Sequence, residues 1–177
     1  MGCIWWYLFR IGLQLQERLV LEFKHLHAWK GERKLERALS MGMHVRAGDS
    51  HMQAGNGREN QDISALVARL EVCAHNFSRV NSGHESFLIV VSDSERVKEL
   101  IGRWDWLHVY SSRIKPFHID RNHVAKEKMV DAAMSVFVDF LFLAFQDALL
   151  LSGTSGYGFL AQSVGLFDHT NSFQCNT

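Results

Sequence analysis

The spacing of hydrophobic and polar residues changes several times along the 177-residue chain, and each change predicts a new element. From Leu15 onward apolar residues recur every three to four positions, which predicts an amphipathic helix running to about Leu39. The same spacing predicts a second helix over 62–79. Short apolar runs, too brief for helices, predict strands over 41–45, 87–91, 106–110 and 148–151.

The segment from Ala132 to Phe145 is apolar on every side apart from Ser135 and Asp139, so it predicts a helix buried in a core or an interface. Ser92 and Glu95 have the spacing of a capping box, which predicts a helix directly after the second strand. Strands and helices therefore alternate. This order predicts an α/β fold with a doubly wound, Rossmann-like, mostly parallel sheet, in which ligands bind beyond the carboxyl ends of the strands.

The composition argues against two classes of protein, those that bind along nucleic acid and those that span a membrane. The 19 basic and 19 acidic residues give zero formal net charge, which argues against a protein that binds along nucleic acid. The apolar stretch at the N-terminus is about 13 residues long, shorter than the roughly 20 needed to cross a bilayer, so no membrane segment is expected. We divide the chain into an N-terminal segment and helix, 1–40, and a Rossmann-like domain, 41–177.

Cysteine and histidine spacing argues against a metal site. Cys3, Cys73 and Cys175 are far apart, cannot all pair and form no CxxC motif, so the spacing predicts neither a disulfide scaffold nor a zinc site. The ten histidines form no HExxH motif or cluster with cysteine, which favours surface and loop positions.

Three features could carry chemistry, and two of them directly follow predicted strands. Arg46 directly follows a strand, where its guanidinium could bind phosphate or pair with Asp49. The turn 152–156 (SGTSG) precedes a helix, and could either bind an anion or simply cap that helix. Asp139 stands in an apolar helix, where a carboxylate is costly unless it meets a Lys or Arg, or accepts the paired N–H groups of a guanine edge.

Three motifs resemble those of the α1,2-, α1,6- and protein O-fucosyltransferase superfamily, whose members have a GT-B fold and use GDP-fucose. Gly42–Asp49 (GMHVRAGD) resembles the first motif, and Phe87–Ser94 (FLIVVSDS) resembles the second, a strand that ends in Ser-Asp. Asp139–Ser155 is similar to the third, in which two aspartates and a serine follow at intervals of eight. Trp6–Phe9 and Gly156–Gly165 are similar to segments of the plant xyloglucan fucosyltransferase branch.

The resemblance implies a GDP-fucose-binding protein that transfers fucose to a glycan or protein acceptor with inversion, without a metal cofactor, in the Golgi or secretory pathway. It implies that His44 and Asp139 hold guanine and that Arg46 binds the β-phosphate and is the catalytic residue. The remaining substrate-binding residues that it implies are Asp93, Thr154 and Ser155.

Two departures from the family pattern limit this interpretation. Ala47 stands where many members have a second arginine, and the chain resembles only the C-terminal, donor-binding half of a GT-B enzyme. A non-catalytic GDP-binding remnant and a GT-B transferase for another sugar nucleotide therefore remain alternatives.

Overall fold

Five helices and five strands lie in the residues that the computed structural model describes: 12–45, 58–81, 83–112, 126–152, 156–165 and 172–175. The helices are α1 (Leu13–Glu32), α2 (Arg58–Val80), α3 (Glu95–Ile101), α4 (Lys126–Ala144) and α5 (Gly156–Val164). The strands are β1 (Leu39–Val45), β2 (Ser86–Ser92), β3 (His108–Ser111), β4 (Ala148–Ser152) and β5 (Ser172–Cys175).

The strands form one parallel sheet in the order β3-β2-β1-β4-β5, which confirms the predicted Rossmann-like α/β fold. The chain builds outward from β1 to β3 and then returns to place β4 on the other side of β1. The order reverses between β1 and β4, and in open α/β sheets such a switch point is where ligands bind. The division at residue 40 stays a prediction.

Alternate residues of each strand serve two different cores, because successive side chains of a strand point to opposite faces. Met41, Met43 and Val45 of β1 join the core formed with α2 and α3. On the opposite face, α1 and α4 cover Phe87 and Ile89 of β2 in a second core. A third core joins α4 and α5 to the ends of β2 and β4. The sheet is therefore covered on both sides, as its apolar strands require.

Helix α1 ends at Glu32, so the prediction that it continues to Leu39 is wrong. Lys34 adopts a left-handed φ of 58°. The N–H groups of Lys34 and Leu35 then donate to the carbonyls of Gly31 and Lys30, at 3.2 and 3.0 Å. This is a Schellman termination, which glycine usually marks. A lysine at the left-handed position gave the sequence no such signal, and the buried Leu35 fixes the turn.

The cap of α3 also differs from the prediction, since Ser94 rather than Ser92 occupies the N-cap. Ser92 is the last residue of β2, and its Oγ accepts a hydrogen bond from the Ser94 N–H at 3.1 Å. The Ser94 hydroxyl in turn accepts from the Val97 N–H at 3.4 Å. The two serines together make the tight turn from β2 into α3.

Strand β5 and a disulfide were not predicted. The four residues of β5 form no apolar run, and Phe173 is exposed, so the usual strand signal is missing. A disulfide between Cys73 of α2 and Cys175 joins this edge strand to the helix above it. Both cysteines are buried in the first core. The expectation that the cysteines encode no disulfide framework is thus wrong for this pair, because a separation of 102 residues carries no recognisable spacing.

Helix α4 is less enclosed than its composition predicts. Its inner side is buried, including Phe142 and Leu143, whereas Val130, Phe137 and the following Phe145 are exposed. The apolar character therefore extends to an outer surface.

None of the helices in the described ranges has the length and apolar character needed to cross a membrane.

Candidate functional site

The candidate site lies at the carboxyl ends of β1 and β4, where the strand order reverses. His44 is the next-to-last residue of β1 and pairs in register with Leu151 of β4 and Val91 of β2. The Ser152 hydroxyl donates a hydrogen bond to the His44 carbonyl at 2.9 Å. This bond fixes the ends of the two strands together at the position from which both predicted ligand-binding loops leave the sheet.

His44 is buried, and α5 packs closely over it. A Cβ atom on Gly158, in the first turn of α5, would lie 3.8 Å from the His44 Nδ1 atom and 2.6 Å from the Leu151 Cδ2 atom. The absence of a side chain at Gly158 thus lets the start of α5 approach the end of β1. The segment Gly156–Gly165 is brought to the first motif in this way.

The first glycine of the opening motif has a packing role. A Cβ atom on Gly42 would lie 3.1 Å from the Gln146 Cγ atom, with Leu143 and Leu149 side-chain atoms at 3.2 and 3.3 Å. Gly42 therefore allows the end of α4 and the start of β4 to pack tightly on β1. This contact lies two residues before His44.

The second aspartate of the third motif lies at the opposite edge of the sheet from the candidate site. The Asp147 Oδ2 atom accepts hydrogen bonds from the Ser40 N–H at 2.8 Å and from the Ser40 hydroxyl at 2.6 Å. The Asp147 N–H is 3.0 Å from the Ser40 carbonyl oxygen. These bonds join the beginnings of β1 and β4, so Asp147 sets the register of the two site strands without reaching the site.

Asp139 lies on α4 within a buried polar cluster formed by four elements. Glu22 of α1, Lys98 of α3 and Ser112 after β3 are buried with it. The Lys98 ammonium is 3.5 Å from the Ser112 carbonyl oxygen, and the Tyr110 hydroxyl is 3.4 Å from the Glu22 carboxylate. The cluster holds two buried carboxylates and one buried ammonium.

Burial raises the pKa of Asp139 from 3.8 to about 6, because the charged form loses hydration. The charge of Lys98 and a hydrogen bond from the Ser112 side chain oppose this rise, while Glu22 and Glu95 add to it. Within the described residues the Oδ1 atom of Asp139 is buried and has no hydrogen-bond partner. At neutral pH Asp139 is thus mainly a carboxylate. Its Oδ1 atom accepts no hydrogen bond from the residues that the structure describes.

His44 and Asp139 approach the same face of the sheet at the same edge. His44 pairs with Val91, and Val90 pairs with Ser111, so Ser112 follows at the level of Val91. Two strand spacings, about 10 Å, separate the backbones of His44 and Ser112. Because Asp139 accepts a hydrogen bond from Ser112, the carboxylate and the imidazole flank the end of β2.

Asp93 is half-buried immediately after β2, at the same edge of the sheet. Its position between Ser92 and the capping Ser94 keeps it beside the strand end. The structure therefore brings His44, Asp93 and Asp139 to the same end of the sheet, where the strands have their carboxyl ends. Arg46, Thr154 and Ser155 lie outside the described residues, so their contacts stay predictions.

Sequence reasoning missed the partners of Asp139. Glu22 interrupts the apolar stripe of α1 between Leu19 and Leu26, and this signal was available. No signal in the sequence indicated Lys98, because it follows Glu95 at the spacing of an ordinary exposed helix pair. Their charged atoms are 3.9 Å apart. Over the ranges that the structure describes, no three His, Cys, Asp or Glu side chains group as metal ligands would.

Comparison with known proteins gives a likeness of fold. No protein-family model and no curated protein matches the chain. A solved structure does: the crystal structure of NodZ alpha-1,6-fucosyltransferase soaked with GDP-fucose superposes with a TM-score of 0.50 at 13% sequence identity. The match covers 88% of this chain and 43% of the NodZ chain, so the protein spans less than half the length of this neighbour. The five-stranded parallel sheet and its helices thus have a fucosyltransferase-like fold.

Proposed function

We propose that this protein is the donor-binding half of a GT-B fucosyltransferase, which binds GDP-fucose and transfers fucose to a glycan or protein acceptor with inversion. The observation that carries the proposal is the switch point between β1 and β4. The segment HVRAGD begins with the last two residues of β1, and the turn SGTSG begins with the last residue of the neighbouring β4. The fold is like that of an enzyme soaked with GDP-fucose.

The buried carboxylate supports guanine as the base. Guanine presents two adjacent N–H donors, on N1 and N2, and a carboxylate accepts both. Adenine presents no such pair on that edge. Asp139 has an unused buried oxygen among the described residues, and the end of β2 separates it from the buried His44. A base between these side chains would satisfy a carboxylate that the fold otherwise buries at a cost.

The diphosphate would lie over the switch point. A guanidinium at Arg46 can form two parallel hydrogen bonds to a phosphate, and the start of α5 offers backbone N–H groups and the positive end of a helix dipole. We infer that Arg46 opposes the negative charge that grows on the β-phosphate as the bond to fucose breaks. Thr154 and Ser155 would add hydroxyl donors. Positive charge and dipoles supplied by the protein make a divalent metal unnecessary in this proposal.

The disulfide supports a compartment for the protein. Disulfides persist in oxidising environments and are rare where thiols are kept reduced. The Cys73–Cys175 bond is consequently in keeping with the Golgi or secretory pathway, where glycan and glycoprotein acceptors are found.

Two alternatives share parts of the proposed site. The match covers 43% of the NodZ chain, so transfer of fucose by this chain is itself part of the proposal. A domain that binds GDP without transferring fucose would have the same switch point and the same carboxylate. A transferase for another sugar nucleotide would keep the phosphate site and differ in the base or sugar.

Calorimetric titration separates these possibilities. We expect GDP to bind about tenfold more tightly than ADP or UDP, since the wrong base leaves the Asp139 carboxylate unpaired at a cost of about 1–3 kcal/mol. A second series with GDP-fucose, GDP-mannose and UDP-glucose identifies the sugar. Equal affinities for GDP, ADP and UDP would contradict the proposal, and tight GDP binding without transfer would favour the non-catalytic alternative.

A further inference from the structure

The proposed function assigns no role to the buried ammonium of Lys98. Lys98 lies on α3, is 4% exposed, and points into the cluster that contains Asp139 rather than to solvent. Burying a lysine is costly unless its charge and its three donors are used. Glu95, an exposed residue of the same helix, lies 3.9 Å from the ammonium, and the contact of Lys98 with Ser112 is made within the cluster.

Lys98 links three elements around the base-reading carboxylate. Its ammonium reaches the Ser112 carbonyl oxygen after β3, and it is the largest favourable charge acting on Asp139 of α4. Ser112 uses its hydroxyl on the same carboxylate. Both groups stabilise the charged form of Asp139, while the Oδ1 atom keeps no hydrogen-bond partner among the described residues.

The other groups around Asp139 work against its ionisation. Glu22 of α1 and Glu95 of α3 both repel a second negative charge. Glu22 is also contacted by the Tyr110 hydroxyl, and the His25 Nδ1 atom lies 4.0 Å from its carboxylate. With these neighbours and its own burial, Asp139 would be protonated near neutral pH without a compensating cation. A protonated carboxyl cannot accept both N–H groups of guanine as a carboxylate does.

We propose that Lys98 and Ser112 are positioning residues of the guanine site, which hold the Asp139 carboxylate in its charged form. This inference rests on the proposed function. It makes guanine preference depend on a lysine that is not placed against the nucleotide. Its consequence is a pH profile, because any loss of Lys98 must act through the ionisation of Asp139.

The test compares GDP and ADP affinities between pH 5 and 8.5 in the wild type, Lys98→Met and Ser112→Ala. Guanine preference in the wild type should appear as the pH rises through about 6, where Asp139 ionises. In Lys98→Met the midpoint should rise by about one pH unit or more, since a nearby opposite charge shifts a carboxyl by that amount. The preference should therefore be weakened at pH 7 and recovered by pH 8.5. Ser112→Ala should shift the midpoint in the same direction and less.

Two further variants separate this role from a merely structural one. Lys98→Arg keeps the charge and should keep the wild-type midpoint, whereas Lys24→Met, an exposed lysine of α1, should change nothing. A loss of GDP affinity in Lys98→Met that is equal at every pH would overturn the inference. If Lys98→Met does not fold, an unchanged midpoint in Ser112→Ala has the same meaning.

Carboxyl-carbon NMR of Asp139 in the ligand-free protein distinguishes failure of the inference from failure of the proposed function. A higher titration midpoint in Lys98→Met and Ser112→Ala supports the positioning role directly. If the midpoint is unchanged in both variants, the inference is wrong even when GDP is preferred. If the wild type shows no preference for GDP, the guanine site itself is wrong.

Discussion

Replacing Asp139 with asparagine should stabilise the ligand-free protein at neutral pH, although it removes a group assigned to the site. The carboxyl titrates near 3.8 when unfolded and near 6 when folded. Between these values the folded state binds a proton that the unfolded state has released. The free energy of unfolding therefore falls as the pH rises from about 4 to 7, and the wild type carries a cost at neutral pH that asparagine avoids.

The difference between the two pKa values sets the size of this effect. At about 1.4 kcal/mol per pH unit, it corresponds to at most about 3 kcal/mol. The opposing charge of Lys98 is already included in the folded value. Asparagine resembles the protonated carboxyl in shape and charge, and Lys98 keeps its contacts with the Ser112 carbonyl and Glu95. We expect a gain of about 1–3 kcal/mol at pH 7.5 and almost none at pH 4.

Urea denaturation at several pH values measures this gain. The buried Trp104 and the half-buried Trp29 provide fluorescence changes on unfolding, and linear extrapolation gives the free energy in water. Asp131→Asn is the matched control, since Asp131 lies on the same helix and forms an exposed ion pair with Arg18. Its effect should stay below about 1 kcal/mol, with a small loss rather than a gain.

One result would refute the reasoning. If Asp139→Asn is less stable than the wild type at pH 7.5 and the difference shrinks toward pH 4, the folded pKa of Asp139 lies below 3.8. The carboxylate would then form a net stabilising pair with Lys98, and its burial would no longer require a ligand.

Three further predictions concern other parts of the protein. Arg46→Lys should weaken GDP binding with little change in the Tm of the ligand-free protein, because an ammonium cannot replace the planar guanidinium. The control Arg69→Lys on α2 should leave binding unchanged, and a lower Tm in Arg46→Lys would instead indicate a structural ion pair. Replacing both Cys73 and Cys175 with alanine should lower the free energy of unfolding by about 2–4 kcal/mol in urea denaturation, and reductant should then have no further effect, whereas an unchanged stability would contradict the contribution of the disulfide. Transfer from GDP-fucose, assayed beside an acceptor-binding half, should persist in EDTA, and activity restored only by Mn²⁺ or Mg²⁺ would contradict the metal-free mechanism.

The sequence alone predicted those elements whose local pattern of apolar residues matches their burial in the fold. The apolar runs at β1, β2 and β4 are buried strands because both faces of the sheet are covered, and their composition shows it directly. The strand order is a different matter. That β4 lies beside β1 follows from long-range packing, such as the contacts at Gly42 and the bonds between Asp147 and Ser40. No local pattern encodes these contacts.

The candidate site shows the same division. Asp139 could be selected from sequence, because a carboxylate in an apolar helix is itself a signal, and His44 could be selected from the motif resemblance. Lys98 and Ser112 could not, since each looks like an ordinary surface or turn residue until the fold encloses it. The motif resemblance also could not separate roles within a motif. Asp139 lies at the end of the sheet that carries the candidate site, whereas Asp147 joins the opposite ends of the strands.

The disulfide divides the chain in an unexpected way. The covalent loop that it closes contains β2, β3, β4 and β5, yet β1, which carries His44, lies outside the loop and in the centre of the sheet. A backbone cut anywhere between Cys73 and Cys175 leaves the two pieces joined through sulfur. A cut within 46–57 instead frees a fragment that ends with β1 and is held only by its hydrogen bonds and packing. The central strand of the candidate site would thus be supplied on a separate peptide, together with α1. Fragment complementation with such a peptide would test His44 variants against an unchanged, disulfide-closed remainder.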